Sequence, residues 1–89
     1  MPSQVATIKN NLGLHLRAAS KLVKLAHEYR SEIYLQKDDI KANGKSMLGI
    51  VTLGATCGSI LEIMTEGPDA QDLLDAVIDL IERNFDEEE

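Results

Sequence analysis

The sequence predicts a two-layer α+β domain, an antiparallel sheet with helices packed on one face. Three observations carry this expectation. Short stretches alternate apolar and polar residues, as half-buried strands do. Longer stretches repeat apolar residues every three or four positions, as amphipathic helices do. Turn-forming residues separate them in the order β-α-β-β-α-β-α. With 89 residues, 44% of them apolar, the chain can bury one modest core, and no repeat or linker divides it. Residues 1–89 are therefore read as a single domain.

The first strand is QVATIK, residues 4–9, with Ala6 and Ile8 inward. NNLG follows as a turn. From Leu16 to Tyr29, Ala19, Leu22, Val23 and Ala26 form a helical stripe. Ile33 and Leu35 alternate with polar neighbours in SEIYLQK, and IKA follows across Asp38-Asp39, which suggests a hairpin. Asn43-Gly44 is a turn dipeptide, after which Ser46 precedes a short apolar helix through Leu53, closed by Gly54. ILEIMTE, residues 60–66, is the last strand, with Leu61 and Ile63 on one face. The final helix starts near Ala70, with Asp69 as its expected N-cap, and turns Leu73, Leu74, Val77, Ile78, Leu80, Ile81 and Phe85 toward the sheet. Residues 85–89 are expected to end the chain as a frayed acidic tail.

The formal charge of −6 is unevenly spread. Residues 1–45 carry eight Lys/Arg against four Asp/Glu (+4), and residues 46–89 carry one against eleven (−10). The acidic half would repel a phosphate backbone, and Tyr29, Tyr34 and Phe85 are too few for a base-stacking platform, so nucleic acid is not an expected partner. No apolar run approaches the roughly 20 residues of a membrane span. The start MPSQVATIKN lacks the pattern of an export signal, and Cys57 has no second cysteine to pair with; a cytoplasmic location is the expectation. One cysteine and two histidines, His15 and His27, do not make a metal site, and no cofactor is implied.

The chemistry concentrates in NNLGLHLRAASK, residues 10–21. If a helix begins at or just after His15, its ring lies beside backbone N–H groups that have no acceptor within the helix. Arg17 adds a planar fork suited to phosphate oxygens. An imidazole nitrogen is nucleophilic near neutrality, so such a site could accept and then release a phosphoryl group. Arg17, Lys21 and Lys24 also fit a plain solvated helix face, and a lone histidine near a helix end is often incidental. No Ser-His-Asp set, second carboxylate or glycine-rich phosphate loop completes an enzyme active site.

Two motifs in register make this pattern specific. GLHLRAAS at 13–20 resembles the GLHARPA motif around the phosphorylated histidine of the HPr family, the histidine-containing phosphocarriers of the bacterial phosphotransferase system. NGKSMLGIVTLGA at 43–55 resembles the family's second motif, around its regulatory serine. The resemblance covers nearly the whole chain. It implies an open-faced β-sandwich, a four-stranded antiparallel sheet covered on one face by three helices in the order βαββαβα. His15 would accept a phosphoryl group on Nδ1 from enzyme I, ultimately from phosphoenolpyruvate, and pass it to IIA partners. Arg17 would steady the phosphoryl oxygens. Ser46 would be the target of an HPr kinase/phosphorylase, although it also makes a good N-cap.

The resemblance further implies a contact patch near His15 made by Leu16, Met47, Leu48, Val51 and Thr52, rimmed by Lys21, Lys24 and Lys45. The implied protein is a monomeric phosphoryl carrier rather than a stand-alone catalyst. The alternative is a purely regulatory binding module acting through Ser46, without sugar transport. An acylphosphatase-like enzyme would share the element order but needs a phosphate cradle that is not seen. Three departures bear on rate and partner choice. Ala18 stands where family members often have proline, Leu16 replaces a common small or polar residue, and Leu12 stands where some members have a polar residue.

Overall fold

Alternation in the first stretch becomes β1 (Ser3–Thr7), which buries Ala6; Ile8, just beyond its end, is also buried. The computed structural model describes residues 2–86. The helical stripe becomes α1 (Leu16–Ala26), which buries Ala18, Ala19, Leu22 and Ala26. It stops short of Tyr29. Glu28 and Tyr29 donate instead to Leu25 and Ala26, three residues back, and this tightens the last turn out of α-helical register. Strands β2 (Glu32–Lys37) and β3 (Ile40–Asn43) form the expected hairpin, with Lys37 opposite Ile40 across Asp38-Asp39. Helix α2 (Met47–Thr52), strand β4 (Ile60–Glu66) and helix α3 (Ala70–Glu82) complete the order.

The four strands lie in the order β1-β4-β2-β3, every neighbour antiparallel. Leu61 and Ile63 of the central β4, with Ile33 and Leu35 of β2, turn one face toward the helices. Leu22, Ile50, Leu73 and Val77 close over that face, so the core lies between one sheet and one helical layer. The other sheet face carries Val5, Glu62, Gln36 and Lys41 in register across the strands. This is the open-faced sandwich expected of the sequence.

Asp69 holds the N-cap position of α3 as expected, its carbonyl accepting from the Leu73 amide at 3.0 Å, but its side chain makes no bond to the helix amides. Its carboxylate turns away to the loop before β2, accepting from the Arg30 and Ser31 amides and the Ser31 hydroxyl. The expectation for Phe85 is corrected: it belongs neither to α3 nor to a frayed end. The helix stops at Glu82, and Asn84, Phe85 and Asp86 take left-handed φ angles of 55°, 57° and 60°. This reversal drives the Phe85 ring fully into the core, where its burial is worth about 1.5–3 kcal/mol. The Lys21 ammonium donates to the Phe85 carbonyl at 2.6 Å, and Arg83 pairs with Asp79 and Asp86. Residues 87–89 of the expected tail lie outside the described residues.

Candidate functional site

The site begins with a backbone constraint. Gly13 has φ of +66°, and a β-carbon there would lie 2.5 Å from the Ala55 carbonyl oxygen and 2.8 Å from Thr56 Cα. Only glycine fits. The next amide, Leu14, donates to that same Ala55 oxygen at 2.9 Å, and the Leu14 side chain is buried. The loop after α2 is thus the floor on which the approach to α1 rests.

His15 follows with extended backbone, φ −76° and ψ 179°, as the N-cap of α1. The first α-helical bond runs from the Ala19 amide to the His15 carbonyl at 2.8 Å, so the Leu16, Arg17 and Ala18 amides precede the internal ladder. His15 Nδ1 accepts from the Arg17 amide at 3.3 Å, a long bond for this type. A half-buried imidazole here occupies the capping position usually held by Ser, Thr, Asp or Asn. Its Nδ1 faces the positive end of the helix dipole.

The other sequence candidates separate into two groups. Arg17 and Lys24 are exposed on α1. Lys21 and Lys45 are held by the fold: Lys21 by the Phe85 carbonyl, Lys45 by the Tyr29 carbonyl at 3.0 Å. Ser46 caps α2, its hydroxyl accepting from the Gly49 amide at 3.1 Å. Leu16 meets Met47, Leu48 and Val51 in a shallow apolar groove of ≈ 380 Å³. Leu48 is 78% exposed and Leu16 66%, which is unusual for leucines of a folded core but apt for a contact surface. Thr52 does not line this groove. It lies beyond Leu48 in a second depression of ≈ 390 Å³ with Ile40, Ser46 and Gly49. The Ala55–Thr56 floor was not among the sequence candidates; Gly13, in the first motif, was the one residue hinting that something approaches there.

Among the described residues, no group of His, Cys, Asp and Glu side chains could hold a metal ion. No helix of them is long and apolar enough to cross a membrane. Cys57 is exposed, its thiol 3.5 Å from the Lys9 carbonyl.

Fold and site together define a small open-faced α+β sandwich that presents a capping histidine at the tip of its first helix. Residues 2–83 match the family model described as PTS HPr component phosphorylation site. The phosphocarrier protein HPr of Neisseria meningitidis is 39% identical over 89 residues, 100% of both chains. The phosphocarrier protein NPr of Shewanella violacea is 42% identical over 91% of this chain and 89% of its own. The crystal structure of HPr-C-His from Thermoanaerobacter tengcongensis has a TM-score of 0.96 at 39% identity, covering 100% of both chains. The chain belongs to the HPr family of phosphocarrier proteins of the phosphotransferase system.

Proposed function

We propose that this protein carries a phosphoryl group on Nδ1 of His15, receiving it from enzyme I and passing it to IIA-type partners. One observation carries the reading: Nδ1 faces the amides that open α1. In transfer, the Nδ1 lone pair attacks phosphorus as the donor's bond to phosphorus breaks, and the donor keeps that electron pair. Nδ1 must first release the Arg17 amide. A neutral hydrogen bond is worth about 0.5–1.5 kcal/mol net, and one as long as 3.3 Å falls at the low end.

The released amide and its neighbours then face phosphoryl oxygens. The helix end contributes on the order of 0.3–1 kcal/mol per charge when exposed, up to ~2 when partly buried. Arg17 supplies a fork for the same oxygens. That sum holds the group without trapping it, as a carrier requires. The protein is a covalent intermediate between partners and needs no cofactor. It works as a monomer in the cytoplasm.

Ser46 is proposed as a second, regulatory phosphorylation site for an HPr kinase/phosphorylase. Phosphate there adds about −1.5 to −2 charge at the start of α2, beside Leu48 and the apolar groove. An acidic partner docking on this surface is then repelled. A module acting through Ser46 alone would give no use to a histidine set at a helix tip.

The deciding experiment uses enzyme I and labelled phosphoenolpyruvate. The wild type takes up label in an acid-labile bond, His15→Ala takes up none, and Ser46→Ala labels normally. Label retained by His15→Ala overturns the assignment.

A further inference from the structure

We infer that Asn10, which is fully buried and lies five residues before His15, is the positioning residue of the imidazole. The inference rests on the carrier reading above and adds how the nucleophile is aimed. Asn10 bonds both peptide groups that flank the Gly13 α-carbon. Its side-chain Nδ2 donates to the Gly13 carbonyl at 2.8 Å, and its own carbonyl accepts from the Gly13 amide at 3.1 Å. The Gly13 carbonyl and the Leu14 amide belong to the same peptide plane. Asn10 therefore grips one edge of this plane while the Ala55 carbonyl grips the other, at 2.9 Å.

A plane held at both edges cannot rotate without breaking one of the bonds. Beyond it, only the φ and ψ of Leu14 separate the clamp from the backbone of His15, and the Leu14 side chain is itself buried at 4% exposure. A buried amide side chain in a low-dielectric setting makes such a clamp stiff. The turn would form without it, because the Asn10 carbonyl closes the loop on Gly13. The Nδ2 bond does something the turn does not require: it fixes the direction from which the chain enters α1, and so where Nδ1 lies relative to the Arg17 amide. Misplacing a reacting atom by about 1 Å can cost on the order of a hundredfold in rate.

Two variants test this. Asn10→Ala removes the grip, and Asn10→Asp keeps its size while replacing the Nδ2 donor. The first readout is the nitrogen NMR signal of His15 Nδ1, which reports its bond to the Arg17 amide; His27 is the internal control. The second is phosphorylation by enzyme I at varied carrier concentration. The expected result is a displaced His15 signal with an unchanged His27 signal in both variants. The maximal labelling rate should fall about tenfold, while the half-saturating concentration stays within about twofold, because the docking surface is untouched. Where Asn10→Ala fails to fold, the isosteric Asn10→Asp carries the test. A His15 signal and labelling rate like those of the wild type would overturn the positioning role. A wild type that takes up no label would overturn the carrier reading, and the NMR arm would still decide the clamp.

Discussion

Asp69 and Ser31 hold each other across 38 residues of sequence: the Ser31 hydroxyl donates to the carboxylate at 2.6 Å and accepts from the Asp69 amide at 3.0 Å. The carboxylate also takes the Ser31 and Arg30 amides, at 2.9 and 3.0 Å. Gly67 is part of the same joint, since a β-carbon there would lie 2.6 Å from the Ser31 hydroxyl oxygen. The loops leading into β2 and α3 are thus tied to each other at one end of the sheet.

This joint gives the fold a defined acid limb. The Ser31 hydroxyl, then the Arg30 amide, holds the Asp69 carboxyl below its ordinary value of 3.8. The folded state therefore binds this proton less readily than the unfolded chain does. The stabilising contribution is complete above the unfolded value and is lost as pH falls through the lower folded value. Asp69→Asn should lower the melting temperature by several degrees at neutral pH, and the gap from wild type should close below pH 3.8. Thermal unfolding followed across pH checks this. A gap that stays constant with pH would separate Asp69 from the acid limb.

Phe85 follows the other end of α3 and is fully buried, and it should be one of the costliest residues to truncate. Phe85→Ala removes a fully buried ring and leaves a cavity beneath a left-handed turn, a change worth about 3–5 kcal/mol. Lys21→Met should cost less, about 1–3 kcal/mol, by leaving the part-buried Phe85 carbonyl without its ammonium donor. Denaturant unfolding measures both. A Lys21→Met variant of unchanged stability but slower labelling would return Lys21 to the docking rim.

These two joints show where the sequence was legible. Ile33, Leu35, Leu61 and Ile63 alternate with period two, and each lies buried on the helix-facing side of the sheet. Ser46 was readable as a cap because its partner, Gly49, is three residues away. Asp69 looked the same locally, but its partner is fixed only once β2 and β4 have paired. Phe85 continues the apolar stripe of α3, and nothing in Asn-Phe-Asp announces three left-handed residues in a row. At the site, His15 and Arg17 stood out by residue type and by family resemblance. The Ala55 carbonyl did not, because a backbone atom leaves no mark in the residue letters.

Ser46 has a structural role separable from any regulatory one. Ser46→Ala loses the bond from the Gly49 amide and should destabilise the fold by about 0.5–2 kcal/mol, with His15 labelling unchanged. Ser46→Asp keeps an acceptor at the cap and adds charge beside the groove, so it should preserve stability and slow phosphorylation by enzyme I. Unfolding curves and labelling rates on the two variants read the roles independently. Equal labelling rates for Ser46→Asp and wild type would remove the cross-talk between the two sites.

Leu48 offers the sharpest division between folding and docking. It is 78% exposed and stands between the two depressions on α2, so its side chain contributes little to the core. Leu48→Glu should therefore change stability by no more than about 0.5 kcal/mol. The same substitution places a carboxylate on an apolar groove whose partner must be dehydrated to dock. The half-saturating concentration for phosphorylation by enzyme I should rise about tenfold, equivalent to about 1.4 kcal/mol of binding, with a maximal rate close to wild type. Val5→Glu is the matched control, since Val5 is 61% exposed on the open sheet face and should leave both constants unchanged. If the two substitutions act alike, the effect is one of net charge, and the groove beside His15 is not where the partner sits.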